Sequence, residues 1–310
     1  MTRVALVGAG VVGSSWSLVF ARAGVEVAIY DADPASAERT VDFVRTALAG
    51  FAAQGLPSAE PADAILARIK PSARLEDTLA GVDYVQESAP ERVEIKTELY
   101  KKLDQIVGPN AILASSTSGL PASAFTEGLQ HRQRCLVVHP INPPHLIPLV
   151  EIVPAPWTDP QAVERSTELM RQVGQSPIQL RREINGFVVN RLQSALLGEA
   201  FRLVEDGIVD ADEVDRAVSD GLGLRWCFMG PFQTIDLNAK TGVAEYCRNL
   251  GQMYYGLAKE QADPRPWKAA LVETVERQLR EKTPAAVIPT RQRWRDGFLA
   301  KLSHFKRQQD

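Results

Sequence analysis

The sequence predicts an α/β protein: a doubly wound, mostly parallel sheet covered on both faces, followed by an all-helical domain. Three observations predict it. Short β-branched runs alternate with longer helical patterns between Arg3 and Leu180, as parallel strands joined by crossover helices do. The first run stops at a glycine cluster. After Asn185 only helical periodicity remains. The predicted boundary gives a domain over residues 1–185 and a helical one over 186–310.

The elements follow in order. "RVALVG" is a buried strand ending at glycine, and "VVGSSWSLVFARAG" a helix stopped at Gly24. "VEVAIYD" is a strand ending in an acid. "DPASAERTVDFVRTALAGFAAQG" is a long helix with Pro34 in its first turn. Residues 55–61 form a loop, and "ADAILARI" is a weaker helix. Then come "VDYVQES" (strand), "PERVEIKTELYKKLDQIV" (helix), "AILASS" (strand) and a short helix from Pro121. "RCLVVH" and "LVEIV" are strands, "DPQAVERSTELMRQVG" a helix and "PIQL" the last strand. "GFVVNRLQSALLGEAFRLVEDG" is a long helix. The rest is helical, broken by "GLGLRWCFMGP".

Composition narrows the function classes. The 310 residues carry a net charge of −3, with 45% hydrophobic and 24% charged residues. There is no basic excess for nucleic acid or an anionic membrane. No apolar run approaches a membrane span, and the N-terminus lacks the pattern of a signal peptide. The cysteines at 135, 227 and 247 are scattered and show neither disulfide framework nor metal spacing. A reducing, cytoplasmic setting is expected.

Gly8, Gly10 and Gly13 spell GxGxxG between a strand and a helix. The first permits a tight turn, the second lets backbone approach a pyrophosphate, and the third lets helix and strand pack closely. Val11 and Val12 open that helix, whose N-terminus offers N–H groups and a positive dipole end to phosphate. Asp31, ending the second strand, stands where an acid accepts the adenosine ribose hydroxyls. It would repel a 2′-phosphate, so NAD is favoured over NADP. The alternative is that Asp31 begins a turn and caps the helix at Pro34. Together these features describe a Rossmann-type domain.

In "VVHPINPPHLIPLVEIVP" an imidazole, His139, and a carboxylate, Glu151, lie in stiff apolar surroundings. They read as a base and its orienting acid, or as a core histidine and an edge-strand acid. Alcohol oxidation favours the first, because a neutral imidazole suits removal of a hydroxyl proton.

The motifs "VGAGVVGSSW", "QESAPERVEIK", "SSTSGL", "HPINPPHLIPLVEIVP", "NGFVVNRLQ", "DGLGLRWCFMGP" and "RQRWRD" resemble the 3-hydroxyacyl-CoA dehydrogenase superfamily over nearly the whole chain. The double proline and "IPLVEIVP" resemble its lambda-crystallin branch, whose activity is L-gulonate 3-dehydrogenase. The resemblance implies His139 as catalytic base and Glu151 as its partner. It implies that Ser118 and Asn190 hydrogen-bond the reacting oxygen, the alternatives being a turn serine and a helix-surface asparagine. Ser88 would line the nicotinamide ribose, with Glu91 and Lys96 near the cofactor or on a solvated helix face. Ser116 stands where many relatives carry Asn against the cofactor.

The acyl-CoA enzymes lack the "LRWCF" that precedes "MGP" here. Arg225 within it offers a guanidinium to a free carboxylate, or packs on Trp226. The expected substrate is a small 3-hydroxy acid, L-gulonate in particular. L-carnitine, with Trp16 and Trp226 in an aromatic cage, a 3-hydroxyacyl-CoA and a crystallin-like structural role are the alternatives. His145 either faces substrate or is solvent-exposed. Relatives dimerise through the helical domain, and the apolar stripes "LLGEAFRLV" and "GQMYYGLA" suit a homodimer here.

Overall fold

The computed structural model describes residues 3–56 and 58–309; Pro57, in the loop expected over 55–61, lies outside them. The chain forms two compact units. One holds the residues up to Val189 and those from Arg295 onward; the other is Asn190–Trp294. The sequence carries the helical domain to residue 310, whereas the C-terminal stretch belongs to the first unit. There Leu299 and Ala300 pack against the apolar core, and Ser303 Oγ donates to the Leu146 carbonyl at 2.7 Å.

The first unit is built on eight strands: β1 (Val4–Val7), β2 (Val27–Tyr30), β3 (Ile69–Ser72), β4 (Tyr84–Glu87), β5 (Ile112–Ser115), β6 (Cys135–Pro140), β7 (Leu149–Pro154) and β8 (Ser176–Gln179). Their order is β3-β2-β1-β4-β5-β6-β7-β8. All neighbours are parallel except β6 and β7. The order reverses between β1 and β4, and ligands of such sheets bind outside the carboxyl ends of the strands there. β3 is not apparent in the sequence. Its segment, Ile-Lys-Pro-Ser, lacks β-branched alternation, and Pro71 removes a ladder donor. Only an edge strand tolerates that. The opposite edge, β8, carries Pro177 in the same way.

The helices of this unit are α1 (Val11–Arg22), α2 (Pro34–Ala53), α3 (Ala62–Leu66), α4 (Leu75–Leu79), α5 (Val93–Ile106), α6 (Ser123–Thr126) and α7 (Pro160–Gln172). Their starts follow sequence rules. Asp33 and Asp159 cap α2 and α7, accepting from Ala35 N at 3.2 Å and Gln161 N at 2.8 Å, each with proline next in the chain. One apolar cluster joins α1, α2 and α7 to the sheet, and a second joins α5 and α6 to the other face. No helix among the described residues is long and apolar enough to cross a membrane.

His145, between β6 and β7, packs among aromatic rings instead of standing in solvent. Its ring meets Phe43 edge-on at 5.6 Å and Phe51 at 6.2 Å, and Nδ1 lies 3.0 Å from the Ser15 hydroxyl. Burial lowers its pKa from 6.5 to about 4; Asp296 opposes the shift and Arg22 adds to it. The unfolded chain therefore takes up this proton first as pH falls. The contribution of neutral His145 is complete above about pH 6.5 and is lost toward pH 4. Between pH 7.5 and 5 this should lower stability by on the order of 1–2 kcal/mol. Urea midpoints of the wild type and His145→Leu across that range should diverge in slope. Parallel pH dependences would refute the assignment.

The second unit contains the rest of α8 (Val189–Glu205), then α9 (Ala211–Arg216), a π-helical turn (Ala217–Leu222), α10 (Gly223–Trp226), α11 (Pro231–Leu237), α12 (Val243–Glu260), α13 (Ala269–Lys282) and the start of α14 (Ile288–Arg307). The break expected over residues 221–231 is confined to residues 227–230, because the π turn carries the helix through Gly221 and into α10. Ala211, Thr234 and Leu271 are its only buried residues among those described.

Candidate active site

Gly8 follows β1 with φ +106°, which L side chains rarely adopt. A Cβ there would meet the Ser88 carbonyl oxygen at 2.6 Å, and one on Gly13 the Gly8 oxygen at 1.8 Å. A Cβ on Gly10 would meet nothing within 4 Å. Two glycines are thus required by packing, while the third faces open space at the start of α1. That is the arrangement a pyrophosphate needs. Val11 is exposed and Val12 half-buried at the same helix start.

Asp31 does not cap α2; Asp33 does. Asp31 Oδ2 accepts from Ala9 N at 2.6 Å and Oδ1 from Asp33 N at 2.9 Å. It therefore fixes the glycine turn, and a carboxylate with two bonds keeps lone pairs for ribose hydroxyls. Arg39, the nearby cation that a 2′-phosphate would want, is held by Asp33 at 3.0 Å. The residues fit NAD.

β6 and β7 are antiparallel, and their register sets His139 directly opposite Glu151. Directly opposed side chains share a face of the sheet. His139 Nδ1 lies 2.7 Å from Glu151 Oε2, while Glu151 Oε1 accepts from Val188 N at 2.7 Å and Val189 N at 3.1 Å. Glu151 is fully buried and His139 nearly so. Burial raises the Glu151 pKa, but the bonds from His139, Val188 and Val189 outweigh it and hold the carboxyl below its ordinary value. An ionised Glu151 can only accept, so Nδ1 donates and Nε2 keeps a free lone pair. The expected long helix from Gly186 begins instead at Val189. Gly186 and Phe187 have φ of +73° and +49°, and Glu151 takes the first amides after them. The Phe187 ring lies tilted, 5.6 Å from that of His139.

Lys96 lies neither on a solvated helix face nor with its ammonium free. It is 1% exposed. Its Nζ donates to Glu87 at 2.7 and 3.0 Å and to the Ala89 carbonyl at 3.3 Å. Ser115 Oγ also donates to Glu87. Glu91 is half-exposed and accepts from Thr117 Oγ1, Ser118 N (3.0 Å) and Gly119 N (3.1 Å). These two acids brace the loops after β4 and β5, and so the backbone of exposed Ser118. Ser88 Oγ lies 3.0 Å from Ser116 Oγ, within hydrogen-bond distance.

Glu87, Gln86, Trp16 and Thr117 are absent from the NAD-site and catalytic residues that the sequence points to. Acid or amide at the carboxyl end of a central strand is the signal that marks Gln86 and Glu87. Trp16 is buried, with its Nε1 donating to Ser116 at 3.1 Å, which removes it from any cage for a trimethylammonium group. Asn190 opens the second unit. Within that unit Arg225 is exposed on α10, directly after the π turn, and has no carboxylate partner among the described residues.

Residues 3–184 match the family described as 3-hydroxyacyl-CoA dehydrogenase, NAD binding domain, and residues 186–287 match its C-terminal domain. The chain belongs to the 3-hydroxyacyl-CoA dehydrogenase family. It is an NAD-dependent oxidoreductase acting on a CH–OH group. It is 39% identical to lambda-crystallin of Oryctolagus cuniculus over 308 residues, covering 98% of this chain and 96% of that protein. It is 38% identical to L-carnitine dehydrogenase of Pseudomonas putida over 248 residues, 80% of this chain and 76% of that one. Among solved structures, a 5-formyl-3-hydroxy-2-methylpyridine 4-carboxylic acid 5-dehydrogenase superposes with a TM-score of 0.79 at 29% identity, covering 99% of each chain.

Proposed function

We propose that this dehydrogenase oxidises the 3-hydroxyl of a small free hydroxy acid, with L-gulonate to 3-dehydro-L-gulonate as the specific reaction. His139 Nε2 takes the hydroxyl proton, and NAD, when bound, would supply the hydride acceptor. Glu151 fixes the tautomer and stabilises the imidazolium. Ser118 and Asn190 are proposed to hydrogen-bond the reacting oxygen, and the glycine turn, Asp31, Ser88, Glu91 and Ser116 to form the NAD site. Lys96, being buried, is proposed to act on that site through Glu87.

The observation that carries the free-acid reading is Arg225, an exposed guanidinium with no carboxylate partner among the described residues. Such a group suits a carboxylate that a CoA thioester lacks. π-helical turns such as the one preceding it are common at functional sites. The lambda-crystallin likeness and the pyridine carboxylic acid dehydrogenase support the same reading. L-carnitine, also a free 3-hydroxy acid, loses Trp16 as a cage member. A 3-hydroxyacyl-CoA dehydrogenase of Gibberella moniliformis, 39% identical over 254 residues, favours the thioester as the second reading.

The deciding experiment is NADH formation from L-gulonate, L-carnitine, 3-hydroxybutyrate and 3-hydroxybutyryl-CoA; preference for the CoA ester would overturn the proposal. Arg225→Met should raise KM for L-gulonate by about tenfold or more, the cost of a charged hydrogen bond being roughly 1.5–3 kcal/mol. It should leave an uncharged polyol unaffected. Equal loss on both would exclude carboxylate recognition.

A homodimer through the helical unit is part of this proposal. Its stripes expose Leu196, Met253, Tyr254 and Tyr255, and a unit with so few buried residues needs a partner to cover them. Sedimentation at micromolar concentration tests it.

A further inference from the structure

Ser116 Oγ is surrounded by donors. Trp16 Nε1 lies 3.1 Å away, Gln86 Nε2 2.7 Å and Ser88 Oγ 3.0 Å. An indole N–H can only donate. The Gln86 amide is oriented by two further neighbours. Its Nε2 also faces the Val138 carbonyl at 3.1 Å, and its Oε1 takes the Tyr84 hydroxyl at 2.7 Å. Turning the amide over would set two oxygens against each other at Val138. Burial pushes the Tyr84 phenol well above its ordinary pKa, so it stays a donor.

A serine oxygen has two lone pairs, and Trp16 and Gln86 supply enough hydrogens to fill both. Ser88 and Ser116 together bring two protons. One lies between the two oxygens. The other has no acceptor among the described residues. Trp16, Tyr84 and Gln86 are buried, whereas both serines are only partly so. The donors are therefore fixed, and the spare proton is at the accessible end of the network.

Its place identifies what it meets. Ser88 and Ser116 follow β4 and β5, and the Ser88 carbonyl touches the glycine turn after β1. Asp31 lies on the other side of β1, after β2. A dinucleotide whose adenosine is held by Asp31 crosses the switch point at β1 and lays its second nucleotide over β4 and β5. Gln86 also ties this network to Val138, the residue before His139.

We propose that the Ser88–Ser116 pair is a one-proton donor to an oxygen on the nicotinamide half of NAD, and that Trp16 and Gln86 are positioning residues that aim it. The accepting oxygen is either a ribose hydroxyl or the carboxamide carbonyl. Each can take the proton, and the pair specifies an acceptor where an amide side chain would tolerate either polarity.

The test measures binding without turnover, so it is independent of the substrate reading. ADP, ADP-ribose and NADH are titrated calorimetrically into the wild type, Ser88→Ala/Ser116→Ala and Trp16→Phe. The double variant should weaken NADH about three- to tenfold, as loss of one neutral hydrogen bond does, with ADP unchanged. A parallel loss for ADP-ribose identifies the ribose hydroxyl; an unchanged ADP-ribose affinity identifies the carboxamide. Trp16→Phe should weaken NADH less, in the same ligand pattern. Unchanged NADH affinity in the double variant, or an equal loss for ADP, overturns the proposal.

Discussion

His139→Asn is expected to lower kcat by about 10²–10⁴-fold, the usual worth of a general base, with NADH binding retained. The variant keeps a polar side chain opposite Glu151 but has no lone pair of suitable basicity at the Nε2 position. Glu151→Gln should be nearly as severe, although the imidazole remains. Val188 N and Val189 N hold one carboxylate oxygen at 2.7 and 3.1 Å, and these donors demand an oxygen. The amide nitrogen of the substituted side chain is then turned toward His139 Nδ1. The imidazole must accept there and carry its hydrogen on Nε2, where the reaction needs a lone pair. Replacing the orienting carboxylate of a comparable pair by an amide costs about 10⁴-fold for this reason. Steady-state kinetics on a substrate that the wild type turns over, with NADH titration of each variant, check both. Retention of a tenth or more of the wild-type kcat by His139→Asn would exclude His139 as base.

Lys96→Met is expected to cost about 3–5 kcal/mol of stability, because removing one member of a buried ion pair strands the other. Glu87 is fully buried and Lys96 1% exposed, with Nζ 2.7 Å from Oε1. Ser115 Oγ and Ala89 N would remain on the carboxylate, so the charge would keep some support. Glu87→Gln/Lys96→Met, which removes both charges, should recover part of the loss. Urea unfolding of the three proteins decides it. A single-variant loss under about 1 kcal/mol would mean that the pair behaves like an exposed one. The same variant should weaken NADH, since the pair holds the Ala89 backbone beside the glycine turn.

Much of this protein was legible in local sequence. GxGxxG after an apolar run, Asp31 at the end of the next run, and aspartate–proline helix starts all act within a few residues, so their physics does not wait for the rest of the chain. Helices α2, α5 and α7 follow from periodicity in the same way. β3 was not legible, because an edge strand needs neither continuous ladder donors nor two apolar faces. The burial of Lys96 was hidden too: a lysine in an amphipathic helix reads as solvated unless its partner, Glu87 on β4, is known to lie beneath it.

Residue order was enough to specify the class of cofactor and to single out His139 and Glu151 as a pair. Glycine conformation, charge repulsion and the resemblance of the "HPINPP" and "LVEIV" runs suffice for that. Which group each side chain answers to depends on contacts made across the fold. Only the antiparallel register of β6 and β7 sets His139 against Glu151, and only the return of the chain at Val188 and Val189 fills the other carboxylate oxygen. Trp16 and Ser116, a hundred positions apart, meet at 3.1 Å because α1 packs against the sheet beside β4 and β5. Such bonds have no local signature. A side chain's direction is set by strand register and helix packing, and those are fixed only when the whole core closes.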